Sequence, residues 1–412
     1  AYRRGRAEGK RPEVRIGAFF PNYMPTAGGG YTFEQEMLRA LLDQVPHSPH
    51  EFLLYIAPGD RSKAMPLPAA DHLNSKWLVP PARVRWSRIG DALGRMFPQN
   101  AKPRPVSALD AYAQRDKIQL LWFPTPAYMP VEIPYIATVW DIQHRVQPWF
   151  PEVSQNGEWQ MRESPFASFV QRASVVLTPN EAGQEELSLF YQVPRQRIRC
   201  LPHPAPRIET IPTAQEARVI LNKYGLKRGF FLYPAQFWPH KNHVNLIRAF
   251  ALLRREGLSE LDLVFVGSDK GNLQYVRSVV QQLELQEHVR FLGFVPRDDL
   301  IALYVQAIAL VYVTYFGPEN LPPLEAFACD CPVIASDVAG AAEQFGEAAV
   351  RVDPSSPAEI ASAMITLYSD PGKRKTLITK GQARLARHTS TEYILDLFRI
   401  MDEFERIRSN WP

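Results

Sequence analysis

Residues 316–328, FGPENLPPLEAFA, combine types suited to holding a phosphorylated ligand. The apolar run at 309–314 reads as a strand. A helix is expected from about Leu321, with Asn320 as its N-cap. Pro322 and Pro323 fall in the first turn, where a missing N–H costs little. The open N–H groups of such a turn, with the helix dipole, suit an anion. Glu325 lies about one turn in, and its carboxylate can accept two hydrogen bonds from a ribose diol. An ordinary turn with a surface glutamate fits these residues equally well.

Other segments carry chemistry of the same kind. Residues 233–242, YPAQFWPHKN, follow a strand and lead into a helix at 244–253. Lys241 at that junction can neutralise phosphate charge together with the helix start, although a strand-end lysine is ordinarily just solvated. Gly28, Gly29 and Gly30 precede a helix expected at 33–44, with Thr32 and Gln35 as a capping box. A glycine turn of this sort lets backbone approach a ligand closely. The strand at 135–139 runs into Trp140, Asp141 and His144. Cys329 and Cys331 lack the further ligands a zinc site needs, and no Asp-x-Asp occurs in the chain, so no metal is expected.

These segments need strands and helices in alternation to position them. In the first half, strands are expected at 14–20, 52–57, 119–123, 135–139 and 174–178, the last followed by a helix from Asn180. Residues 62–104 read as loops with short helices. The Pro-rich stretch 201–212 marks a domain boundary. Strands follow at 230–233, 261–266, 289–292, 309–314, 332–335 and 349–352, with helices between them. This alternation predicts an α/β protein of two doubly wound, Rossmann-like domains, at 1–206 and 207–390. A final helix in 391–412 is expected to pack back across the domains, returning toward the first as an outer clamp. Ligands in such sheets bind beyond the carboxyl ends of the strands, which makes the cleft between the domains the expected site.

Composition agrees. The 412 residues exceed one ordinary core, and 46% hydrophobic with 22% charged residues is a globular balance. A net charge of +4 is too small to point to nucleic acid. No apolar run reaches membrane-spanning length, no signal-peptide pattern is present, and three cysteines make no disulfide framework, so a cytoplasmic protein is expected. Arg3, Arg4, Arg6, Lys10, Arg11 and Arg15 crowd the start. They read as a solvated tail, with peripheral contact to an anionic membrane as the functional alternative. Ala1 in place of Met reads as a processed or excised piece.

The block Leu321-Pro322-Pro323-Leu324-Glu325-Ala326, with the run 331–336 (CPVIAS) and Val352-Asp353-Pro354, resembles the signature of glycosyltransferase family 4 (group 1), a family of GT-B fold. The resemblance implies that Glu325 binds the donor's ribose. Gly317 stands where the family has a sugar-contacting Glu, and Glu319, two residues later, or a backbone amide is the expected substitute. Lys241 matches the diphosphate lysine; Ala235-Gln236 stand where its arginine partner belongs, with His240 as replacement. The resemblance further implies that Gly29 and Gly30 close over the donor phosphate, with Asn320 and Leu321 beside it. Residues 290–295, ending at Val295, would cover the base. Trp140 replaces the family's strand-end His, leaving Asp141 and His144 to contact donor sugar or acceptor. The motif forms are most similar to bacterial mannosyltransferase-type members. They imply a retaining, metal-independent hexosyl transfer, with GDP-mannose as first donor, to a glycan, polysaccharide or glycolipid, and with no cofactor. A sugar-nucleotide epimerase of the same fold and a non-catalytic nucleotide-sugar-binding domain are the alternatives.

Overall fold

The computed structural model describes residues 14–24, 28–57, 74–77, 106–226 and 229–410. Two parallel sheets carry them. The first has strands β1 (Arg15–Phe20), β2 (Glu51–Ile56), β3 (Asn74–Trp77), β4 (Leu120–Phe123), β5 (Tyr135–Thr138), β6 (Val175–Thr178) and β7 (Ile198–Cys200) in the order β3-β2-β1-β4-β5-β6-β7. The second has β8 (Phe230–Pro234), β9 (Asp262–Val266), β10 (Val289–Phe291), β11 (Ala309–Tyr312), β12 (Val333–Ser336) and β13 (Ala349–Val352) in the order β10-β9-β8-β11-β12-β13. Strands such as FFLYP and DLVFV are buried along their whole length, as expected where helices cover both faces of a parallel sheet. The strand order reverses beside β1 and beside β8, which opens a crevice at the carboxyl end of each sheet.

The strands expected from sequence are present, within a residue or two at their ends. Three features differ. Residues 74–77, read as loop, form the edge strand β3, and β7 was not anticipated at all; both are short edge strands with little apolar pattern. The first helix starts at Gly29, not at residue 33, with Gly28 as N-cap at φ 69°. The Thr32–Gln35 capping box is therefore absent, and the Thr32 amide instead donates to the Gly28 carbonyl at 3.1 Å. The basic residues at 1–13 and most of 62–104 lie outside the described residues. Arg15 belongs to no tail: it is a strand residue whose guanidinium pairs with Glu51 at 2.9 Å.

Residues 201–213 link the sheets. The second domain opens with the helix Ala214–Lys223, started by a Thr213–Glu216 capping box. The last helix, Ser390–Arg408, also has a full capping box, from Thr389 and Glu392. Its apolar stripe of Tyr393, Ile394, Leu397, Phe398 and Met401 lies in the core of the first domain, among Ile16, Leu41, Phe52 and Leu120. Phe398 packs tilted against Phe52 at a centroid distance of 5.4 Å, and Asp402 binds buried His50 at 3.1 Å. The helix that follows the second domain thus packs into the first. Phe398→Ala is expected to cost about 3–5 kcal/mol, as for other fully buried aromatics, read as a lowered urea midpoint with an unchanged slope.

Candidate functional site

The carboxyl ends of β1, β5 and β6 face those of β8 and β11 across the cleft. After β1 the chain turns through Asn22 and Tyr23, whose amides donate to the buried Glu34 carboxylate at 2.8 and 2.7 Å. Burial raises the Glu34 pKa, and those two amides oppose the shift. Glu34 thereby fixes the turn leading to the glycines. A Cβ at Gly28 would sit 3.6 Å from Gln236 Nε2, and one at Gly29 3.6 Å from Leu321 Cδ1, so the glycines bring backbone to the opposite domain. A Cβ at Gly30 would meet the Trp140 ring at 3.6 Å.

On the facing side, Lys241 ends a short 3₁₀ turn, Pro239–Lys241. Asn242, at φ 59°, pins that turn by donating to the carbonyls of Val313 (2.9 Å) and Pro354 (2.7 Å). Lys241 Nζ lies 5.3 Å from the Tyr312 ring centroid, and no carboxylate among the described residues pairs with it. Its charge is therefore available to a ligand. His240 does not supply a second cation. Its Nδ1 is 2.5 Å from Glu152 Oε1 of the first domain, and burial, with Lys241 adding to it, pushes its pKa down to about 4. A neutral His240 donating to Glu152 is an interdomain contact.

The turn after β11 is held on several sides. The Tyr315 amide donates to His240 O at 2.8 Å, and Gln147 Nε2 of the first domain donates to Tyr315 O at 3.1 Å. Asn180 Nδ2, also from the first domain, donates to Pro318 O at 2.7 Å. Asn320 precedes the helix Leu321–Ala328, but its side chain does not cap it; Nδ2 donates to Gly317 O at 2.9 Å instead. The Gln344 carboxamide takes both backbone groups of Asn320, at 3.1 and 2.8 Å. With prolines at 322 and 323, the amide this turn has left for an anion is that of Leu321. The Leu321 side chain packs against the cores of both domains.

Glu325 lies one turn on. Tyr304 donates to its Oε2 at 3.0 Å, and Arg297 Nη1 is 3.6 Å from Oε1. Burial raises the Glu325 pKa, opposed by Arg297 and Tyr304.

Several expected site residues lie elsewhere. Glu319 does not replace the glutamate missing at 317. Its carboxylate is buried against the interdomain linker, accepting from the His203 amide at 2.5 Å. Burial holds its pKa well above the carboxylate range, and it holds His203 down at about 3. Gly317 itself has φ 136°, and a Cβ there would fall 2.5 Å from Asn320 Oδ1, so this turn is built without a side chain. His144 is sealed beneath the helix Glu158–Arg172, with Nε2 3.1 Å from Glu163 and 3.0 Å from the Tyr191 hydroxyl; burial lowers its pKa. The strand-end position alone suggested a free imidazole; the aromatic and acidic residues of two later helices close over it. Asp141 remains half-buried, its Oδ1 accepting from the Gln143 amide at 3.0 Å. Val295 is a core side chain, and the exposed side chain of its segment is Phe294.

Other residues at the cleft were not anticipated: Glu34, Gln147, Glu152, Asn180, Arg297 and Gln344. Glu186 joins them, its pKa pushed up to about 7 by burial and by Asp141. Most act through contacts between segments distant in sequence. A Glu four residues after Gly30 was the one local signal.

Two outcomes test this geometry. Gly317→Glu, which restores the family residue, is expected to lower both stability and activity, because it forces a side chain to positive φ against Asn320. Since burial raises the Glu319 pKa on folding, its contribution is fully present below the unfolded value near 4.5 and is lost as pH rises through the folded value. Glu319→Gln is therefore expected to match wild type near pH 4.5 and to gain on it steadily toward pH 8 in urea titrations.

Comparison with known proteins agrees with the fold. Residues 216–384 match the profile of the family described as glycosyl transferases group 1. O-antigen chain mannosyltransferase B of Escherichia coli is 26% identical over 66% of this chain and 72% of that protein. O-antigen chain mannosyltransferase RfbU of Salmonella typhimurium is 28% identical over 45% of this chain, a match that spans about half (48%) of that relative's length. Among solved structures, sucrose-phosphate synthase from Thermosynechococcus elongatus superposes with a TM-score of 0.70 at 20% identity, covering 95% of this chain and 99% of that one. Anabaena HepE in complex with UDP and glucose gives a TM-score of 0.67 at 16% identity, over 95% of this chain and 100% of that chain. Residues 216–384, a segment that includes Lys241 and Glu325, thus resemble the group 1 glycosyltransferases, the two sheets have the GT-B arrangement, and mannosyltransferases are among the chain's relatives.

Proposed function

We propose that the protein transfers a hexose, with retention of anomeric configuration and without a metal, from a nucleoside-diphosphate sugar to a glycan, polysaccharide or glycolipid acceptor. GDP-mannose is the donor of choice. The observation that carries this reading is the convergence of the glycine turn, Lys241, the Leu321 amide and Glu325 from three strand ends into one cleft. The relatives named mannosyltransferases support the choice of sugar.

Each group has a task. Glu325 accepts from the ribose hydroxyls, with Tyr304 and Arg297 orienting its carboxylate. Lys241 and the positive end of the helix Leu321–Ala328 meet the charge that grows on the departing diphosphate. These groups stand where a metal would otherwise serve, so activity in excess chelator is part of the proposal. The acceptor hydroxyl attacks from the leaving-group face, and the departing phosphate oxygen takes its proton. Closure of the cleft, through contacts such as His240–Glu152, excludes water from the reaction.

A thermal-shift screen of GDP, UDP, ADP and their sugars tests the donor: a ligand at a hundred times its Kd adds about 2.7 kcal/mol. GDP and GDP-mannose are expected to stabilise selectively, and a preference for UDP overturns the donor assignment. In a transfer assay, Lys241→Ala is expected to lower kcat by roughly 10²–10³-fold. Glu325→Ala is expected to weaken nucleotide binding by about 1.5–3 kcal/mol, the range for hydrogen bonds to a charged group, and to abolish measurable turnover. A fully active Glu325→Ala protein overturns the reading.

A further inference from the structure

We infer that the groove between the helix Gly29–Gln44 and the second domain is a binding site for a neutral oligosaccharide, the glycan arm of the acceptor. This rests on the transferase reading above.

The groove encloses about 640 Å³, within the range of small-molecule sites. Tyr31, Gln35, Glu36 and Arg39 form one wall, on a single face of that helix; Arg207 of the linker and Arg297 of the second domain face them. The wall begins at Tyr31, directly after the glycines that approach Leu321, and so starts beside the reacting centre.

Glu36 carries the assignment. It is 7% exposed, its Oε2 accepts from the Arg207 amide at 3.3 Å, and its Oε1 is buried with no partner. A buried carboxylate oxygen without a donor calls for one from a ligand. Sugar hydroxyls are such donors.

Charge selects the ligand class. Three arginines and four carboxylates line the groove, a balance unfavourable to a polyanion. Each arginine already faces a carboxylate: Arg39 with Glu209 at 2.9 Å, Arg207 with Asp43 at 3.6 Å, and Arg297 with Glu325 at 3.6 Å. No cation is left over for a phosphate. Paired donors and acceptors beside a tyrosine ring suit a polyhydroxylated ring with apolar C–H faces. The donor's own hydroxyls share this chemistry, so the test must separate the two sources.

Calorimetric titration of the full chain with manno-, gluco- and galacto-oligosaccharides of one to four units, and separately with GDP and UDP, does so. Wild type is expected to bind one oligosaccharide series with affinity rising with length. Glu36→Gln and, as a second variant in case the first unfolds, Tyr31→Ala should weaken the tetrasaccharide at least tenfold, with nucleotide Kd changed less than twofold. Unaltered oligosaccharide binding in a folded variant overturns the inference. So does lost nucleotide binding with oligosaccharide retained, or a wild type that binds nucleotide but no oligosaccharide. A wild type that binds neither nucleotide sinks the transferase reading itself.

Discussion

The placement of the turn between β11 and the helix Leu321–Ala328 governs the rest of the molecule. Its backbone is fixed by Gln344, by the first-domain side chains Gln147 and Asn180, and by the linker through Glu319. Leu321, partly buried, packs against two cores at once because of that fixation. A turn held from both domains sets the distance between the glycines and Lys241, and therefore the width of the cleft. The strong desolvation of Glu319 belongs to the same arrangement: its carboxyl is committed to the linker and takes no part at the reacting centre.

The cleft's electrostatics are lean. One lysine, one free amide and a helix end carry its positive potential. His240 is spent on an interdomain hydrogen bond and held neutral by burial. Positive potential in such a site owes more to low dielectric and fixed geometry than to the number of charges. That makes closure part of the chemistry, since solvent between the domains would screen what little charge there is.

The fold was legible because largely apolar strands alternate with amphipathic helices, and the placement of Glu325 and Lys241 beyond strand ends was legible because their neighbours sit on one local element. The edge strands β3 and β7 were not, having little apolar signal. His144 and Glu319 were misplaced for a shared reason. Each sits at a strand end, where exposure is the default, and each is buried by residues far away in sequence: Glu163 and Tyr191 in one case, His203 in the other. Asn320 has the residue type of a cap, but Gln344 engages its backbone and its side chain turns to Gly317. Local preference sets what a residue can do; long-range contacts decide what it does.

The helix Ser390–Arg408 supplies Leu397, Phe398 and Met401 to the core of the first domain. It follows the whole of the second domain in sequence. During synthesis the first domain must then wait through the second with Phe52, Leu41 and Ile16 uncovered, and it gains this layer only once residues 390–408 have emerged. Folding of this chain is consequently not serial by domain. The two halves are completed together, and truncation at the end of the second domain would leave the first one open.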